Sequence, residues 1–254
     1  MRSRAVNFAA VSFTLFSALA YSQESPAPST PPPASPSAIF QRATEMYEKK
    51  NFPAALKAFQ ESADAHITEA MMYLGLMYAG GQGTGVDYAK ALFWFRKASE
   101  AGDGQAMCNL GILYYLGLGT PKQYSQALKW FNDSAATGNF QAMFNLGVLY
   151  RDGLGVAANY ETAMKWFVKA SDGGNDMAMN SIGVLYENGQ GMPVDYDQAM
   201  TWYRKAADLG NHSAMHNIGQ LYENGLGVPK DQEEADKWYA KSNQPGKSDQ
   251  PHLP

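Results

Sequence analysis

The stretch Ala142-x-x-Asn145-Leu146-Gly147-x-x-Tyr150-x-x-Gly153-x-Gly155-Val156, continued by Tyr160-x-x-Ala163-x-x-Trp166-Phe167, decides the fold, because it recurs along the chain. The chain's five tryptophans, Trp94, Trp130, Trp166, Trp202 and Trp238, keep one constant spacing. Ala70, Ala106, Ala142, Ala178 and Ala214 hold the same register, as do Gly75, Gly111, Gly147, Gly183 and Gly219, then Tyr78, Tyr114, Tyr150, Tyr186 and Tyr222. No helix or strand has a period this long, so the spacing is the length of a structural unit. Units of this size stack into a solenoid, each burying its apolar face only against its neighbours.

Within the quoted unit, Ala142, Leu146, Leu149 and Tyr150 fall mostly at three- and four-residue steps, one face of a helix. Gly153-Leu154-Gly155 stops that helix and begins a loop. Ala163, Trp166, Phe167 and Ala170 then have the i, i+3, i+4, i+7 spacing of a second amphipathic helix, which Gly174-Asn175 closes. The expected fold is all-α: an α/α solenoid of helix-turn-helix units. Alanines mark close helix approach, and each tryptophan with its aromatic neighbour is expected to fill the space between helix pairs.

Residues 69–242 hold five such units. Residues 39–68 obey the register only in their second half, where Phe52, Ala55 and Phe59 precede Tyr88, Ala91 and Phe95 by one period. This half-regular hairpin is read as an N-terminal cap, since the end of an array faces water. In the last unit Gln232 replaces the tyrosine of Tyr88, Tyr124, Tyr160 and Tyr196, a polar ending. Residues 243–254, with Pro245, Gly246, Pro251 and Pro254, read as a disordered tail.

Residues 1–22 are of a different kind. Arg2 and Arg4 precede a short apolar run from Val6 to Leu19, and small residues at Ala18, Ala20 and Ser22 offer cleavage after Ala20 or Ser22. This is the pattern of a secretory signal peptide, and the run is too short and too interrupted for a spanning helix of about 20 apolar residues. The expectation is an exported protein, periplasmic or secreted, with no membrane span after cleavage. Residues 23–38, rich in Pro, Ser and Ala, read as an extended linker.

The formal charge is −4, and loss of residues 1–22 removes two arginines and no acid. Such a surface has no broad attraction for nucleic acid, so no nucleic-acid partner is expected. Cys108 is the single cysteine, which excludes an intramolecular disulfide. Five Gly-x-Gly loops lack the preceding strand, third glycine and following acid of a dinucleotide site, and read as helix stops. His212 and His216 are spaced i, i+4, but no third ligand is placed for a metal. No catalytic constellation, metal site or cofactor is expected.

The recurring motif resembles the Sel1-like repeat, a longer-looped relative of the tetratricopeptide repeat, over residues 69–242; residues 39–68 look more like an ordinary tetratricopeptide hairpin. The resemblance implies a superhelix that binds protein or peptide in a concave groove lined by first helices. Secreted bacterial members of the family are often adaptors, which implies a non-catalytic scaffold here. Two rows then become candidate partner-binding residues. Before the Leu/Ile-Gly pair stand Tyr73, Asn109, Asn145, Ser181 and Asn217; an asparagine there offers a peptide both donor and acceptor, or satisfies local backbone groups instead. After the helix tyrosine stand Ala79, Tyr115, Arg151, Glu187 and Glu223, acidic towards the C-terminus, which suits a partner carrying basic groups. The alternatives are an envelope enzyme or a peptidoglycan or glycan binder using carboxylates and aromatics, and a self-associating structural array.

Overall fold

The computed structural model describes residues 35–244, which form twelve α-helices and no strand. The expected signal peptide and tail, apart from Asn243 and Gln244, lie outside these residues. The capping hairpin is α1 (Pro36–Glu48) and α2 (Phe52–Asp64). Ser35 caps α1 by accepting from the Ala38 N–H at 3.2 Å, with Pro36 in the first turn, so the helix takes in the last three residues of the stretch read as linker.

Five hairpins follow: α3 (Thr68–Gly80) with α4 (Tyr88–Glu100), α5 (Gly104–Leu116) with α6 (Tyr124–Ala136), α7 (Phe140–Asp152) with α8 (Tyr160–Asp172), α9 (Asp176–Asn188) with α10 (Tyr196–Asp208), and α11 (His212–Asn224) with α12 (Gln232–Ser242). Each second helix packs on its own first helix, and α2, α4, α6, α8 and α10 also pack on the first helix of the next hairpin. First helices also meet one another, α3 with α5 and α7 with α9. This is an α/α solenoid.

The loop glycines have two separate jobs, visible in the central hairpin. Gly153 ends α7 at φ +68°, in the left-handed region, and its neighbour Leu154 donates its N–H to the Leu149 carbonyl at 3.0 Å. Gly155, at φ +71°, lies against the start of α6 in the preceding hairpin: a Cβ there would stand 2.6 Å from the Tyr124 carbonyl carbon. The second glycine is therefore an inter-repeat contact. The chain then returns to α8 through the Asn159 N–H, which donates to the Tyr150 carbonyl at 2.8 Å, while Asn159 Oδ1 caps Thr162.

The core corrects one expectation. The tryptophans are half-buried rather than central, and in the first four repeats the residue after the tryptophan is the one sealed inside: Phe95, Phe131, Phe167 and Tyr203 are almost wholly excluded from solvent, while Tyr239 after Trp238 is partly buried. Neighbouring residues on a helix project about 100° apart, so only one of the pair faces the partner helix. The slot it enters is left by the helix glycine. A Cβ on Gly147 would lie 2.5 Å from Phe167 Cδ1, and one on Gly111 would lie 2.6 Å from Phe131 Cε1. The tryptophans pack at the edge of the core, most with a lysine ammonium over the indole: Lys129 on Trp130 at 3.9 Å, Lys169 on Trp166 at 4.4 Å, and Lys205 and Lys241 on Trp202 and Trp238 at 4.0 Å.

The repeats are also tied by their N-caps. Asn139, Asn175 and Asn211 each accept a backbone N–H three residues on, at 2.8–2.9 Å, which caps α7, α9 and α11. Each then donates its side-chain N–H to the first turn of the preceding first helix: to Gln105 at 3.0 Å, Gln141 at 3.4 Å and Asp176 at 2.8 Å. Asparagine does both because its amide is acceptor and donor at once.

Candidate partner-binding groove

Met72 and Leu76 of α3, Gln105, Asn109 and Ile112 of α5, Phe140 and Gln141 of α7, and Asp176 and Met177 of α9 line one cavity of about 840 Å³. Side chains of four consecutive repeats, mostly from first helices, converge on this one space. A smaller recess of about 270 Å³ adjoins at Ile112, lined also by Tyr115, Leu116, Phe131, Phe144, Asn145 and Val148. Phe140 is 43% and Met177 41% exposed, large apolar surface for residues outside the core. Asp176 is the one charged side chain on the wall of the larger cavity.

The candidate rows divide. Asn109 borders the large cavity and accepts from Gln105 Nε2 at 3.2 Å. Asn145 borders the small one, accepting from Gln141 Nε2 at 3.5 Å and directing its own N–H towards Cys108 Sγ at 3.9 Å. Asn217, nearer the C-terminal end, donates to Asn180 Oδ1 at 3.0 Å. Two of the three asparagines thus point at the preceding first helix. Tyr73 does something else: it stacks on Phe59 at 4.8 Å and meets Tyr47 edge-on at 5.5 Å, sealing the repeats to the cap.

In the second row, Tyr115 lines the small recess, and burial together with the nearby Asp152 carboxylate raises its pKa. Arg151 forms a two-pronged pair with Asp152, at 2.7 and 2.9 Å, which holds the guanidinium charged. Glu187 and Glu223 are acceptors for tyrosine hydroxyls: Tyr203 donates to Glu187, and Tyr239 donates to Glu223 at 2.7 Å. These tyrosines occupy the place filled by Phe95, Phe131 and Phe167 in earlier repeats. An acid in the second row accompanies a hydroxyl on the core ring, so part of the acidic gradient is internal satisfaction of a buried polar group. Burial first and the carboxylate second raise both phenols, Tyr239 to about 12.

Other reactive groups are occupied. Burial pushes the Cys108 thiol up to about 12, leaving it protonated and inert. His212 Nδ1 lies 2.7 Å from the Ser242 carbonyl oxygen, and His216 packs on the Tyr239 ring at 5.1 Å. Among the described residues no group of three or more His, Cys, Asp or Glu is placed to hold a metal ion, and no helix is long and apolar enough to cross a membrane.

Sequence reasoning passed over Gln105, Gln141, Phe140 and Met177. They stand in the first turns of α5, α7 and α9, just after the N-caps Asp103, Asn139 and Asn175. The recurrence of asparagine at that cap was the readable signal, but the identity of what it touches depends on stacking.

The comparisons agree with this architecture. The Sel1 repeat matches residues 68–103, 104–139, 140–175, 176–211 and 212–244. No curated protein matches the chain. Among solved structures, a Sel1 repeat protein from Oxalobacter formigenes is 30% identical with a TM-score of 0.76, the match covering 85% of this chain and 87% of that one. A protective antigen of uropathogenic Escherichia coli with an SLR fold is also 30% identical with a TM-score of 0.76, over 82% of this chain; the match spans 45% of the antigen. An immunity protein from Pseudomonas aeruginosa, at 20% identity and a TM-score of 0.53 over 82% of this chain and 80% of its own, shares the fold. With five consecutive matched units, glycine-locked hairpins and an inter-repeat cap ladder, the chain belongs to the Sel1 repeat family.

Proposed function

We propose that this protein is a non-catalytic scaffold that binds an extended peptide segment of a partner protein along its first-helix groove, outside the cytoplasm. The observation that carries the reading is the groove itself. It combines apolar side chains from four repeats with the amides of Gln105, Asn109 and Gln141, and its only charge is the carboxylate of Asp176. Apolar walls with a few placed polar groups are what peptide and ligand sites require. Sel1 repeats as a family support protein partners. The carboxylate of Asp176 favours a partner with basic groups, and Tyr115 and Asn145 extend the wall on the α7 side. Export rests on the charged, apolar and small-residue pattern of residues 1–22.

The test is selection of a displayed random peptide library on the full chain, followed by titration of the recovered peptides against Ile112→Lys, which places a charged chain at the junction of the two recesses. Peptides that bind the wild type and lose at least ten-fold affinity to the folded variant support the reading; equal binding to both overturns it. Export is tested separately, by fusing residues 1–22 to alkaline phosphatase and assaying activity outside the cytoplasm.

A further inference from the structure

A second surface runs along the edge of the array where each second helix ends and the next first helix begins. Three large apolar side chains stand exposed on it, in successive repeats: Phe140 at the start of α7, Met177 at the start of α9, and Leu209, 56% exposed, just after α10. The contact between turn and helix start recurs with the repeat. A Cβ on Gly104 would meet Thr137, and one on Gly173 would meet Phe140, so the register sets Leu209 beside Asp176. Ala101 and Thr137 hold the place of Leu209 in earlier turns, so the apolar row belongs to the C-terminal half of the edge.

The same edge carries charge that the fold does not neutralise. Asp172 and Asp208 end α8 and α10, where the negative end of the helix dipole disfavours a carboxylate. A lysine three residues earlier could offset this by pairing with the acid. Here Lys169 and Lys205 lie instead over Trp166 and Trp202, at 4.4 and 4.0 Å. Among the described residues, neither of these acids nor Asp176 makes an ion pair. Residues 140–244 as a whole hold thirteen Asp or Glu against eight Lys or Arg. An exposed apolar row flanked by unpaired carboxylates complements a segment with one apolar stripe and basic residues beside it.

The spacing of the row selects the conformation of that segment. α7 touches α9 directly, and helices in contact lie about 8–10 Å apart. Seven residues of an α-helix rise about 10.5 Å and return to nearly the same face. An extended strand covers the distance in about three residues, which turns the side chain to the opposite face. We propose that this edge docks an amphipathic α-helix of a partner protein, with apolar residues seven apart on Phe140, Met177 and Leu209 and lysines or arginines facing Asp172, Asp176 and Asp208. Phe140, Met177 and Asp176 are shared with the groove rim, whereas Leu209, Asp172 and Asp208 belong to the edge alone. The docking of a helix here is independent of whether an extended peptide binds in the groove.

The probe is a synthetic helix of three heptads, stapled to hold its conformation, with one leucine per heptad in register and lysines on either side. One control carries glutamate for lysine; another has a proline in the middle heptad in place of the staple. Titration calorimetry at low and high salt measures their binding to the full-length protein, to Leu209→Ser and to the double variant Asp172→Asn/Asp208→Asn. All three residues are exposed, and circular dichroism checks that the variants are folded. The expected result is binding of the lysine helix alone, weakened by salt. Leu209→Ser should lose about ten-fold in affinity, the scale of one leucine left in water, and the double variant should lose much of the salt dependence. Equal binding of the glutamate or proline peptide overturns the proposal, as does unchanged affinity in both variants or no binding at all. Binding lost to Ile112→Lys but untouched by both edge variants would place the helix in the groove and overturn the edge assignment.

Discussion

Substituting alanine for Gly147 tests the lock between the two helices of a repeat. Intrinsic propensity favours the change by about 1 kcal/mol in a helix interior. Against this, the new Cβ would stand 2.5 Å from Phe167 Cδ1, and Phe167 is fully buried with no room to withdraw. Overpacking of this kind costs about 1–3 kcal/mol, so the net effect is a destabilisation of up to about 2 kcal/mol. Phe167→Ala leaves a cavity and costs about 3–5 kcal/mol. In that background the ring is gone, so Gly147→Ala becomes stabilising by about 1 kcal/mol through propensity and partial filling. The double-mutant cycle therefore carries a coupling of about 1–3 kcal/mol and, more tellingly, a change of sign. Urea unfolding followed by circular dichroism measures all four proteins, with tryptophan fluorescence checking that a single transition is observed in each. If Gly147→Ala stabilises the wild-type background as it does the Phe167→Ala one, the glycine has no steric role and the proposed lock is refuted.

Asn139→Ala removes both a helix cap and the tie to Gln105, and should cost about 1–2 kcal/mol in urea unfolding; Asn139→Asp, which keeps the cap, should lose less. Glu187→Leu leaves the buried Tyr203 hydroxyl without its carboxylate acceptor and should cost about 1–3 kcal/mol, whereas the same change beside Tyr203→Phe should cost less, because earlier repeats carry phenylalanine there; equal costs in the two backgrounds would show that the hydroxyl does not depend on Glu187. Cys108 has its pKa raised by burial from 9.0 to about 12. Between those values the unfolded chain has lost the thiol proton and the folded one retains it, so stability falls as pH rises above 9, by about 1.4 kcal/mol per pH unit. The stability gap between wild type and Cys108→Ala should narrow over that window in parallel unfolding curves. At pH 8.5 iodoacetamide should label the thiol no faster than the protein opens.

The sequence by itself determined the unit, its length and its helical content, because a strict register of Ala, Gly, Tyr and Trp leaves no other way to bury the apolar face. It also assigned the Gly-x-Gly loops as helix stops, since their chemistry is local to the backbone. It did not distinguish Trp166 from Phe167 as the inner residue: both are aromatic, adjacent and periodic, and only the angle at which α8 meets α7 decides which enters the slot over Gly147. The role of Gly155 against Tyr124 was hidden for the same reason, as that contact crosses from one repeat to the preceding one. The site was legible as a row of polar positions on first helices, but not as a polarised chain running from Asn139 through Gln105 to Asn109. Those residues are far apart in sequence, and their donor and acceptor ends are set by the stacking of α7 on α5. Periodicity fixes what repeats; the differences between repeats, such as Leu209 standing where Thr137 and Gly173 stand earlier, acquire meaning only when neighbouring helices are brought into contact.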